Sequence, residues 1–229
     1  MFGGDLPEAT SIFPLSGALL LPRGVLPLTI FEPRYLRMVS NAMAKERMIG
    51  MIQPLTGEPA SGEPASGEPA PGEPAVRTSD LYRTGCIGRI TAFNETADGH
   101  FLIMLTGICR FDIARELPEQ DGYRRVITDY SRFYEDPEPE PANQIDRGRL
   151  LDVLRLFIKR NAIEVEWEAV TAMPDEPLVI SLIMTCPFAA NEKQALLECQ
   201  TLAERSQVLT ALLEMTLLAP DLGANAQPN

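Results

Sequence analysis

Phe13 to Tyr35 reads FPLSGALLLPRGVLPLTIFEPRY, and this run decides how the rest of the chain is parsed. Apolar residues crowd it, but Pro14, Pro22 and Pro27 interrupt them. Proline has no amide hydrogen and its ring clashes with the preceding helical turn, so the run cannot be one long helix. The spacing predicts short strands over Ile12–Leu15 and Gly17–Leu21, punctuated by the prolines. At its end the period changes. Tyr35, Leu36, Val39 and Met43 recur at helical spacing, so Pro33 to Lys45 is read as an amphipathic helix with Pro33 in its first turn, where a missing N–H is harmless.

Further along, Met48–Ile52 is an apolar strand, and Gly85–Asn94 and His100–Thr106 are apolar runs joined through Ala97-Asp98-Gly99. Asp-Gly between two such runs is a strong hairpin signal, because both residues tolerate the positive φ a tight turn needs. Phe111–Ala114 and Arg124–Tyr130 continue the β pattern. From Ile145 to Ala162 the period becomes helical, with Leu150, Leu151, Leu154, Phe157 and Ile158 on one stripe. Leu178–Thr185 is a shorter helix stopped by Pro187, Asn191 with Gln194 offers an N-terminal cap, and Thr201 with Glu204 offers another. The reading is an α+β protein: a small β-barrel or sandwich over residues 1–134, then three or four packed helices over 143–219.

Two segments interrupt that plan. Residues 56–75 repeat the unit GEPA four times. Pro, Gly and the lack of large apolar side chains predict a disordered loop expansion, which surface loops tolerate at little entropic cost; the other reading is a proline-rich docking motif. Residues 135–142, EDPEPEPA, read as an acidic, proline-rich spacer, and 220–229 as a flexible tail. The 229-residue chain has net charge −12 from 20 basic and 32 acidic residues. Setting aside the carboxylates of the repeat and of the spacer leaves about −4 for the folded parts. Phosphate backbones are held by Lys and Arg, so this balance disfavours nucleic acid as a partner.

The chemistry is limited too. One histidine, His100, cannot build a multi-histidine metal site in one chain, and the four cysteines lack C-x-x-C spacing. They read as reduced, buried thiols, with a redox pair as the other reading. His100 begins a strand beside a tight turn and reads as solvated. Ser11, Ser16 and Ser40 have no G-x-S-x-G context. No run reaches the length of a membrane helix and the first residues lack a secretory pattern, so the expectation is a cytoplasmic protein with no membrane partner. Neither catalytic residues, metal nor cofactor are expected.

Several motifs together resemble the N-terminal domain family of Lon proteases. Phe13–Tyr35 is similar to that family's "FPL…P…LPL-IFEpRY", Gly50-Met51 to its "fGmv", Gly85–Ile90 to "vGtvarI" and Gly107–Phe111 to "GlqRF". In the helical half, the stretch beginning NEKQALLECQ resembles "eKQ-lLE". The resemblance implies a PUA-like β-barrel followed by a helical bundle, and a role in substrate recognition. No G-x-x-x-x-G-K-[ST] phosphate loop occurs, so the ATPase and peptidase activities are not implied and the expectation is a free-standing, non-enzymatic member.

The family motif residues are Phe31, Glu32, Pro33, Arg34, Tyr35, Gly107, Arg110 and Phe111. Phe31 and Tyr35 are expected to anchor a strand-to-helix turn, with Glu32 or Arg34 tying down nearby backbone. The alternative is a ligand held by Glu32 and Arg34. Arg110 either pairs with a local carboxylate or meets an acidic ligand. Met38, Met43, Met48 and Met51 either fill the core or line an adaptable peptide groove. The leading function is binding of unfolded or degron-bearing protein or peptide segments, as an adaptor with a protease or chaperone as further partner. The alternative is RNA or an anionic small molecule, if Arg83, Arg89, Arg110, Arg124 and Arg125 converge on one surface.

Overall fold

β5 (Phe101–Gln120) organises the molecule, because its 20 residues are long enough to serve three partners. The computed structural model describes residues 6–55, 80–139 and 145–218. Ahead of β5 come β1 (Ala9–Pro14), β2 (Val25–Ile30), α1 (Pro33–Met43), β3 (Met48–Ile52) and β4 (Thr84–Glu95), and after it β6 (Tyr123–Asp129). The first half of β5 pairs with β2 on one side and β4 on the other, while its second half pairs with β6. β6 also pairs with β1, β1 with β3 in parallel, and β3 with β4. The ring β5–β4–β3–β1–β6 therefore closes on itself, and β2 is left as an added edge. Closure removes open edges from five strands. The parallel β1–β3 pair needs a crossover, which β2 and α1 supply.

Some elements differ from the sequence reading. Residues 17–21 are not a strand, although Leu19, Leu20 and Leu21 are buried. The strand lies beyond them, at β2, where Pro27 had been read as punctuation. A proline survives in a strand at a sheet edge, with its nitrogen turned away from the ladder, and β2 is such an edge. β5 runs unbroken through Gly107, joining the stretches 100–106 and 111–114 that were read as separate β runs. Here a β-carbon would lie 2.0 Å from the Leu21 carbonyl oxygen, so only glycine lets the 19–21 segment press onto the barrel. The Gly107 N–H donates to the Gly24 carbonyl and the Arg23 N–H to the Gly107 carbonyl. The Asp98-Gly99 hairpin forms as read, and a second Asp-Gly turn joins β5 to β6, with φ of 52° at Asp121 and 82° at Gly122.

Phe111 lies at the centre of the barrel, wholly buried among Ile12, Ile87, Cys109, Ile113, Val126 and Phe133. α1 turns Tyr35, Met38, Val39 and Ala42 inward.

The helices are α2 (Arg147–Arg160), α3 (Trp167–Ala172), α4 (Asp175–Thr185), α5 (Ala190–Glu198) and α6 (Leu202–Leu218). They do not form one block over 143–219. The chain divides into a unit of Met1–Pro139 with Ile180–Glu198, and a second of Glu140–Val179 with Cys199–Asn229. α5 thus belongs with the barrel. Its buried Gln194 donates to the Thr84 carbonyl and its Lys193 to the Gly17 carbonyl. Gln194 is spent on those contacts, so the expected Asn191 cap is replaced by Glu192, which accepts from the Ala189 N–H.

In the second unit, α2 buries Leu150, Val153, Leu154 and Phe157, and α6 buries Leu202, Leu209, Leu212 and Leu213. Thr201 caps α6 by accepting from the Glu204 N–H, as the sequence predicted, and Asp146 caps α2 by accepting from the Arg149 N–H, a cap the sequence reading did not name. The GEPA repeat at 56–75 and the tail at 220–229 lie outside the described residues.

Gly107→Ala forces a β-carbon against the Leu21 backbone, and overpacking of this kind destabilises by about 2 kcal/mol or more. Urea unfolding is expected to show a lower midpoint with unchanged slope.

Candidate functional site

The IFEPRY turn is built from the inside. Tyr35 is buried and packs its ring 4.4 Å from that of Phe13. Burial, the largest cause, pushes its phenol above the usual value. Glu32 precedes the helix, and its carbonyl accepts from the N–H groups of Tyr35 and Leu36. Pro33 occupies the first turn. Arg34 lies 2.9 Å from the Glu32 carboxylate and 4.5 Å above the Tyr35 ring. Glu32 and Arg34 thus hold each other, side chain to side chain, where the sequence reading had one of them tying down backbone. Phe31 does not anchor the turn as expected. It is 61% exposed, with its ring 6.1 Å from that of His100. β2 ends one residue earlier, and strand alternation turns Phe31 outward.

Arg110 is 3% exposed and takes the carboxylate reading. Its Nη2 lies 2.7 Å from Asp136 Oδ1, while its Nε and its backbone N–H both donate to Oδ2 at 2.8 Å. Nη1 donates to the Leu197 carbonyl near the end of α5 at 3.0 Å, and the guanidinium stacks 4.6 Å over Phe133. Asp136 had been assigned to the acidic spacer, and the structure corrects that: this carboxylate belongs to the barrel unit.

The other arginines do not form a free basic surface. Arg124 forks onto Glu116 and Asp80, Arg83 approaches Asp112, and Arg89 donates to the Glu46 carbonyl. Carboxylates thus take up Arg110 and Arg124, while Arg89 meets only a carbonyl and Arg125 lines a small polar cleft, so the five do not gather on one surface as a group and the RNA or anionic-ligand reading loses support. A polar cleft beside β1, α1 and β6 holds about 50 Å³, far less than a typical small-molecule pocket.

The methionine groove is corrected as well. Met38, Met48 and Met51 are buried and Met43 is half-buried, so they fill the core. The cysteines are free, with Cys86, Cys109 and Cys186 buried and Cys199 partly exposed. Burial pushes the Cys109 thiol up to about 12 and that of Cys186 to about 11. His100 Nδ1 lies 3.1 Å from Asp98 in the exposed hairpin turn. The sequence had not identified that partner for the imidazole.

The exposed apolar surface lies elsewhere, on the β2–β5–β4 extension. Cross-strand partners share a face, and the register pairs Val25 with Thr106, Pro27 with Met104, and Thr29 with Leu102. Val25, Phe31 and Leu102 are 50%, 61% and 42% exposed. On the opposite face, at the strand ends, Phe93 is 41% exposed and meets Phe101 edge-on at 4.9 Å. None of these side chains is charged. Sequence reading missed this surface because β2 was not recognised as a strand. The alternation of VLPLTI between Val25 and Ile30 was the available signal.

Comparison with known proteins agrees with the fold. Residues 10–215 match the family described as the ATP-dependent protease La (LON) substrate-binding domain. The chain is 25% identical over 224 residues to Lon protease 2 of Myxococcus xanthus, covering 91% of this chain and 24% of that protein. It is 26% identical over 227 residues to Lon protease of Parabacteroides distasonis, covering 96% and 25%. The chain spans about a quarter of the length of the curated relatives it matches. A crystal structure of a Lon N-terminal domain protein from Xanthomonas campestris superposes with a TM-score of 0.59 at 20% identity, covering 89% of this chain and 97% of that one.

Two outcomes test this placement of residues. Asp136→Ala strands a buried guanidinium and is expected to destabilise by about 3–5 kcal/mol, with Arg110→Met/Asp136→Leu recovering part of the loss. Labelling with Ellman's reagent at mildly alkaline pH is expected to modify Cys199 quickly in the folded protein. Cys86, Cys109 and Cys186 should react only on unfolding, since raised pKa values keep them as thiols.

Proposed function

Since the chain belongs to the LON substrate-binding domain family, we propose that it is a recognition module for unfolded or degron-bearing polypeptide segments. It performs no chemistry itself and acts in the cytoplasm as an adaptor that delivers bound chains to a protease or chaperone. The observation that carries this reading is the family match over residues 10–215. The exposed apolar side chains of Val25, Phe31 and Leu102, on one face of the sheet, support it. Contiguous exposed apolar side chains on a soluble protein mark interaction sites. A non-native chain differs from a native one mainly in the apolar side chains and unpaired backbone it exposes, and an uncharged face receives such a chain without stranding a charge.

Fluorescence anisotropy with one protein in two states tests this. Reduced, carboxymethylated α-lactalbumin, which cannot fold, is expected to bind, and native calcium-loaded α-lactalbumin is not. Phe31→Asp together with Leu102→Asp should weaken binding about tenfold or more, as charge is placed opposite apolar segments. Equal behaviour of the two states, or no binding of either, overturns the proposal.

A further inference from the structure

Beyond the general reading as a recognition module, on which this step rests, we propose that the open edge of β2 takes up an uncharged, extended polypeptide segment as an added strand. The hydrogen-bonding parity of β2 follows from one contact. Gly107 N–H donates to the Gly24 carbonyl at 2.8 Å, so Gly24 faces β5. Backbone groups alternate in direction along an antiparallel strand. Leu26, Leu28 and Ile30, opposite Leu105, Ile103 and Phe101, therefore also face β5. Val25, Pro27 and Thr29 face away from it.

Those outward groups comprise the N–H of Val25, the N–H of Thr29 and three carbonyls. Among the described residues no strand pairs with them, since β2 pairs with β5 alone. Val25, Pro27 and Thr29 are all exposed. A row of unpaired main-chain donors and acceptors recognises another main chain in extended form, and strand addition is the known way to satisfy it.

The side chains on both sides of that edge set the chemistry of the occupant. An added strand would alternate its own side chains over Val25, Pro27 and Thr29 on one face, and over half-buried Leu26 and Leu28 on the other. The neighbouring exposed residues Phe31, Leu102 and Phe93 are also uncharged. Residues 25–31 carry no charge in a protein of net charge −12, with the carboxylates of Glu32 and Glu95 at the far end of the strip, so the edge itself fits an apolar, uncharged segment and disfavours an acidic one. Pro27 decides between that occupant and a second copy of this chain. Two β2 edges paired together would each lack the proline N–H, whereas a foreign segment meets that gap only once.

Three variants separate backbone from side-chain effects, with reduced, carboxymethylated α-lactalbumin as the probe. Thr29→Val keeps the outward N–H, Thr29→Pro removes it, and Pro27→Val adds one. Thr29→Pro is expected to bind the probe about fivefold more weakly than Thr29→Val, the worth of one hydrogen bond, and Pro27→Val more tightly than wild type. Hydrogen exchange on the wild-type protein gives an independent readout if a proline variant misfolds. The amides of Val25 and Thr29 should slow when the probe binds.

If wild type binds the probe while Thr29→Pro and Thr29→Val bind alike, or the two amides exchange unchanged, strand addition is wrong and the recognition role stands. If wild type does not bind the probe, both fall. A wild-type dimer in sedimentation that Thr29→Pro dissolves would assign the edge to a second copy and overturn the proposal.

Discussion

A guanidinium held at 3% exposure inside a β-barrel must be neutralised on the spot, and Arg110 constrains the barrel unit through that need. A buried charge left without a partner costs several kcal/mol. Asp136 meets Arg110 with three hydrogen bonds, from the backbone N–H, Nε and Nη2. To deliver Asp136, the chain beyond β6 has to turn back over the barrel. That turn brings Phe133 under the guanidinium and into the core. On another side, Nη1 donates to the Leu197 carbonyl and fixes the end of α5 against the barrel. One side chain therefore ties together β5, the post-barrel turn and a helix distant in sequence.

The open edge follows from the same economy of strands. β5 uses its second half to reach β6 and close the ring, and its first half to hold β4. The other side of that first half is occupied by β2, which among the described residues has no further neighbour in the sheet. Gly107 makes the arrangement possible by letting the Leu21 carbonyl approach to where a β-carbon would otherwise stand. The segment of residues 19–21 buries its leucines there, and β2 begins a few residues later. Five strands are protected by closure and the sixth carries the exposed, uncharged surface.

Local signals were legible in the sequence. The Asp98-Gly99 hairpin, α1 starting at Pro33, the α2 stripe and the Thr201–Glu204 cap each rest on residues close together in the chain, and each forms as read. What failed was set by distant partners. Pro27 reads as a break unless β2 is known to be an edge. Nothing local to Gly107 shows that the Leu21 backbone lies against it. Asp136 looked like one more acid in a spacer because its partner lies 26 residues away. α5 carries an ordinary helical pattern, and nothing local shows that Lys193 and Gln194 reach Gly17 and Thr84. The methionines beside α1 offered two readings, and burial selected the core. Phe31 was the costliest miss, since an aromatic in a fixed motif reads as an anchor although the end of β2 turns it outward.

The central claim is that the exposed apolar residues of the β2–β5–β4 extension receive non-native chains. Its most direct test is backbone chemical-shift mapping of the isotope-labelled protein titrated with reduced, carboxymethylated α-lactalbumin. Shifts centred on Val25, Thr29, Phe31, Phe93 and Leu102 are the expected result. Shifts confined to α2, α3 and α6, or to the surroundings of Arg83 and Arg125, would contradict it.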